Sequence, residues 1–154
     1  PQTVTEDFER YDAWSTEFGD WTLIDANKGY SGGFFDDLWY PNQFTQFAYI
    51  IFNPFILGEN VARLNPWLKP FSGQQYASVP HELDATGQVY VNSNNWIISP
   101  KLSGQAQTIS FYVHNMTVND VAYIENYDVL CSTSGKEITD FTTVLAENRA
   151  NGRR

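Results

Sequence analysis

The sequence predicts an all-β domain, an antiparallel β-sandwich of jelly-roll type carrying a long aromatic-rich loop insertion. Three observations lead there. Several short segments alternate apolar and polar residues with period two, and Gly, Pro, Asn or Asp separates them. No stretch of ten residues or more carries a convincing 3.6-residue stripe. Short strands joined by polar turns pack as antiparallel sheets rather than as a parallel sheet with crossover helices.

In chain order, the expected strands are Phe8 to Arg10, Trp21 to Asp25, Phe47 to Phe52, Gln75 to Val79, Gln88 to Val91 and Trp96 to Ser99. Thr108 to His114 follows, with Ile109, Phe111 and Val113 on one face and Thr108, Ser110, Tyr112 and His114 on the other. Val121 to Ser132 places Tyr123, Glu125, Tyr127, Val129 and Cys131 on one side, and Thr142 to Ala146 is a further strand. The best helical windows, around Glu59 to Leu64 and Leu145 to Asn151, are short. The stretch "NNWIISPKL" reads as a buried strand, a stop and a turn. Pro100 lacks an amide hydrogen and so belongs at a strand end or edge, and Leu102-Ser103-Gly104 makes the next corner.

The segment from Tyr30 to Gly73 differs in kind. It holds about half of the chain's aromatic residues, and Pro41, Pro54, Pro66 and Pro70 limit regular structure in it. Long loops of this sort bind something or cover something. Trp39, Tyr40 and Trp67, with Asn42 and Gln43 nearby, are the candidate ligand-binding residues, because sugar rings stack on aromatic faces while amides bond their hydroxyls. The same rings could instead form a secondary core over one sheet, or a protein contact.

At 154 residues the chain fits a single domain, 1–154, with room for one core. No apolar run approaches the roughly 20 residues of a membrane helix. A net charge of −9 disfavours nucleic acid and anionic lipid, which both require a basic patch, and favours calcium or neutral ligands. The single cysteine, Cys131, excludes an internal disulfide and leaves the redox compartment open. The chain opens at Pro1 without a signal-like segment, so an export signal is expected to be removed or to lie elsewhere. The tail "ENRANGRR" suggests a frayed end or a boundary before another module.

Catalytic signatures are absent: no G-x-S-x-G, no H-E-x-x-H and no phosphate-binding glycine loop. Cys131 with His114 could be drawn as nucleophile and base, but Cys131 lies in an apolar row and reads as a small buried hydrophobe. Asp36-Asp37 reads as a solvated acidic pair, and Asn115-Met116-Thr117 matches a glycosylation sequon.

Four motifs in order resemble one family. "NNWIISPKLSG…TISFYVH" is similar to the N-W-L-I-S-P-K-L signature of the cleaved-adhesin, or choice-of-anchor J, domains of Bacteroidetes surface proteins. That family includes the adhesin modules of gingipain proteases and is similar to galactose-binding and MAM-type jelly rolls. "DFERYDAWSTEFGDWTLIDANKG" resembles its opening, "SGQQYASV" its S-G strand, and "ENYDVLCSTSGKEITDFTTVL" its closing run. The Tyr30 to Gly73 stretch is longer than the family pattern, and the family's D-x-D-x-D-G run stands here as Asp25-Ala26-Asn27-Lys28-Gly29.

The resemblance implies a non-catalytic adhesion or recognition module, secreted or on a bacterial surface, binding a host protein or glycan through its loops as a monomeric module of a multidomain chain. The alternatives are a carbohydrate-binding module appended to a secreted hydrolase or protease, and a structural spacer. It also implies a structural calcium, which maps onto Glu9, Asp25, Asn27 and Glu125. Strand parity places Glu125 and Asp25 at the ends of core-facing rows, where a carboxylate requires a partner. The alternative is that both meet water, or pair with Arg10 or Lys101.

Overall fold

The computed structural model describes residues 4–33, 38–58, 60–115, 117–118, 121–122 and 125–150. Every strand pair in it is antiparallel. Helix among the described residues is confined to one α turn and three 3-10 turns, so the all-β class expected from the sequence holds. No described helix is long and apolar enough to cross a membrane. The chain divides into two compact units, Pro1–Ser103 and Gly104–Arg154.

In the first unit, β1 (Thr22–Asp25) pairs with β7 (Asn95–Ile98), β3 (Ile50–Phe52) with β4 (Tyr76–Ser78), and β5 (Glu82–Leu83) lies between β2 (Tyr30–Ser31) and β6 (Tyr90–Val91). β3 is buried along its whole length, as its unbroken apolar run requires. Its second edge is satisfied outside the ladder, where Trp14 N donates to Ile51 O and Ile51 N to Ser15 O. Tyr40, Phe47 and Ile50 form the core, with Trp14 and Leu57 packed against it. Phe52 meets Trp14 edge-on at 5.3 Å and Tyr76 at a tilt at 5.5 Å, geometries that ring quadrupoles favour. The expected helical turn appears as α1 (Val61–Leu64).

The second unit contains β8 (Thr117–Val118), β9 (Val121–Ala122), β10 (Glu125–Cys131) and β11 (Thr143–Ala150). β8 pairs with β9, and β10 with β11 through a bulge between Val129 and Leu130. The expected parity of β10 holds at Tyr127, Val129 and Cys131, which are half-buried while Asn126 and Asp128 are exposed. Tyr123 lies outside the described residues.

Three sequence expectations are corrected here. Phe8 to Arg10 is a turn, with Phe8 at φ 63°, in a left-handed conformation no strand can contain. Thr108 to His114 is not a strand, because its alternation finds no ladder partner among the described residues and its side chains from Thr108 to Val113 stay exposed. Leu145 to Asn151 is not helical. Described through Ala150, it continues β11, where the cross-strand bonds of β10 outweigh a weak local helical preference. β2, β5 and β8 went unforeseen because two-residue strands show no period.

Candidate functional site

Two arrangements in the first unit have chemistry to offer, an aromatic loop and a cluster of carboxylates and carboxamides. The loop runs from Leu38 to Thr45. Ser31 on β2 fastens it, since Ser31 N donates to Thr45 O at 2.9 Å and Phe44 N to Ser31 O at 2.9 Å. The Ser31 hydroxyl adds a bond to Asn42 O at 3.1 Å, and Asn42 Nδ2 reaches Trp14 O at 2.9 Å. Tyr40 anchors the loop from below: its ring is fully buried and its hydroxyl donates to Gly32 O at 2.7 Å. Burial pushes that phenol up to about 12, against a smaller opposing effect of Ser31.

This anchoring displays two rings. Trp39 is 66% exposed and Phe44 54% exposed. Asn42 and Phe44 stand at φ 67° and 63°; asparagine visits this left-handed region readily, whereas for Phe44 it costs about 1–2 kcal/mol. The hydrogen bonds of the loop hold that strained shape, so Phe44 points outward at an energetic cost.

The sequence-predicted ligand residues therefore separate. Trp39 is on the surface. Tyr40 is core and can touch no ligand. Trp67 stands half-buried on a different element, the 3-10 turn Pro66–Leu68. Asn42 and Gln43 are engaged by backbone groups, Asn42 donating to Trp14 O and Gln43 Oε1 accepting from Tyr40 N at 3.3 Å. Asp36 and Asp37 lie outside the described residues, as does Met116 of the sequon.

The second arrangement gathers around Glu82, the middle residue across the β2–β5–β6 sheet, which is 1% exposed. Its carboxylate accepts from Asn27 Nδ2 at 2.5 Å and from Asn95 Nδ2 at 2.6 Å. Gly29 is buried against it, and a Cβ at that position would come within 2.5 Å of Glu82 Oε2. Asp25 Oδ1 accepts from Lys28 N at 2.5 Å, closing a tight turn. Asp25 Oδ2 and Asn95 Oδ1 are buried side-chain oxygens without a hydrogen-bond partner among the described residues. Burial raises the Asp25 pKa, its backbone bonds lower it, and the neighbouring charge of Glu82 raises it further. Among the described residues no Lys or Arg forms an ion pair with either carboxylate.

The paired asparagines of the "NNWIISPKL" stretch, Asn94 and Asn95, build this cluster. Asn94 O accepts from Ala26 N at 3.0 Å and Asn94 N donates to Asn27 Oδ1 at 2.6 Å, which docks the 25–29 turn on the start of β7.

Of the four expected calcium ligands, Asp25 and Asn27 come together here. Glu9 is engaged elsewhere, its Oε1 accepting from Gln74 N at 2.8 Å and Gln75 N at 3.0 Å. Glu125 is exposed on β10 of the second unit. No group of three or more His, Cys, Asp or Glu side chains gathers for a metal among the described residues, so the donors at this cluster are two carboxylates and two carboxamides. The residues that sequence reasoning missed are Glu82, Asn95 and Phe44. The doubled asparagine before Trp96 was the available signal for Asn95. Glu82 gave none.

Compared with known families, residues 65–154 match the model described as the Cleaved Adhesin Domain, a match covering more than half of the chain. No curated protein and no solved structure matches it.

Proposed function

The chain belongs to the cleaved-adhesin domain family, and from that membership we propose that this adhesion-type surface module works without catalysis, engaging a protein partner through the Trp39 loop. The observation that supports the reading is the outward display of Trp39 and Phe44 on a loop pinned by Ser31, Asn42 and Tyr40. Exposed aromatics on a rigid frame are the residues that dominate binding energy at protein interfaces, since little entropy is lost when they are covered.

A glycan partner is the second reading, favoured by Trp39 itself. A sugar requires polar side chains beside the ring, however, and the side chains of Asn42 and Gln43 already bond the backbone at Trp14 and Tyr40. That difference favours protein. A panel of extracellular matrix proteins and glycans, probed with the purified chain, separates the readings. The proposal predicts a protein hit that Trp39→Ala weakens; hits among glycans alone would replace it with the carbohydrate reading, and silence throughout would leave the spacer reading.

A further inference from the structure

We propose that the stretch 108–114 docks a second copy of this chain, pairing antiparallel with its own counterpart so that Phe111 of one copy faces Phe111 of the other across a two-fold axis. The surface lies in the second unit and is separate from the Trp39 loop.

From Thr108 to Val113 every side chain is exposed, and the backbone joins no ladder among the described residues. Its alternation is nevertheless strict. In an extended chain Ile109, Phe111 and Val113 share one face, and each is about half exposed. Phe111 meets Tyr127 of β10 edge-on, with ring centroids 6.1 Å apart at 68°. Covering such a row is favourable in proportion to its apolar area. Open strands are ordinarily guarded against pairing by charges, prolines or bulges. Residues 102–119 contain no Asp, Glu, Lys, Arg or Pro, so nothing in the sequence keeps another strand away.

Charge and register identify the occupant. Two copies of a chain with net charge −9 repel each other, and contact is least opposed where both carry no charge. A second copy brings the same neutral stretch. It also matches side chain to side chain in one register. Centred on Phe111, an antiparallel pair sets Ile109 opposite Val113 and Phe111 opposite itself, so all three apolar residues find apolar partners. Centring on Ser110 would set Val113 against Gln107, and centring on Tyr112 would set Ile109 against Asn115. A slip of one residue turns the whole row onto polar side chains. Backbone groups of alternate residues share one edge of a strand, so the bonds exchanged are those of Ile109, Phe111 and Val113. Two-fold pairing closes at two copies. Each dimer then carries two Trp39 loops, which raises apparent affinity for a partner that repeats its epitope.

The test is sedimentation of the full chain over a concentration series, with a charge exchange between the two facing positions. The unaltered chain should form a dimer. Ile109→Lys alone and Val113→Glu alone should each weaken dimerisation at least about tenfold, because each sets a charge against an apolar side chain. Combined, they should restore it, since position 109 of one copy faces position 113 of the other and the opposite charges pair. Amide exchange in the unaltered chain requires no variant to fold: the amides of Ile109, Phe111 and Val113 should slow as concentration rises. A chain that stays monomeric at millimolar concentration, single variants that dimerise unimpaired, a double variant no better than the singles, or open-ended assemblies in place of a dimer would each overturn the pairing.

Discussion

Asp25 and Asn95 stand opposite each other across the β1–β7 ladder, and each turns inward one buried side-chain oxygen that has no partner among the described residues. Glu82 receives the amide of Asn95 from a different sheet. Acceptors thus outnumber donors at one point in the first unit, and the consequences of adding to that excess can be measured.

Asn95→Asp removes the amide donor from Glu82 and adds a third carboxylate. The midpoint should fall by several degrees, because a buried acceptor loses its donor while like charges multiply. Thermal melts of the two chains provide the comparison, and an unchanged midpoint would contradict the crowding of acceptors there.

Gly29→Ala tests how closely the 25–29 turn fits Glu82. The added Cβ would lie 2.5 Å from Glu82 Oε2 and 2.8 Å from its Cβ, closer than packing tolerates. Overpacking of this kind costs about 1–3 kcal/mol, to be read from urea denaturation.

Tyr40 supplies a pH prediction. The core accepts its neutral phenol, so the native protein retains a proton that the unfolded chain releases near the ordinary phenol value of 10.0, and releases its own only at about 12. This contribution to stability is complete below the lower value and disappears as pH rises through the higher one. The phenolate absorbance difference between the unaltered chain and Tyr40→Phe should therefore show one late titration. Losing the bond to Gly32 O, Tyr40→Phe should also cost about 1 kcal/mol.

Phe44→Asn separates stability from binding. Asparagine tolerates the left-handed backbone that Phe44 adopts at φ 63°, so stability should hold or rise by about 1 kcal/mol. Binding to the partner should nevertheless weaken. Denaturation and affinity measured on the same preparation would show the opposed changes.

How far the sequence anticipates this picture depends on the range over which each signal acts. β1, β3, β4, β6, β7 and β10 are visible because local alternation or an apolar run between turn residues determines which side is buried. Asp25 and Asn27 stand out because the family's acidic run falls on them. Glu82 does not, since its partners Asn27 and Asn95 are 55 and 13 residues away, and no local pattern marks a carboxylate that tertiary contacts will bury. The aromatic stretch resolves in both directions: Tyr40, Phe47 and Phe52 are core, whereas Trp39, Phe44, Phe55 and Phe71 are exposed. Composition supplied the rings, and only the pinned loop geometry sorted them.

The central claim, an adhesion module that binds through the Trp39 loop, is tested most directly by affinity for whichever partner the panel identifies. The unaltered chain, Trp39→Ala and Tyr112→Ala should be compared, the last removing a ring that is 75% exposed in the second unit. The account predicts Kd weakened at least about tenfold by Trp39→Ala and unchanged by Tyr112→Ala. Unaltered affinity in Trp39→Ala would contradict it.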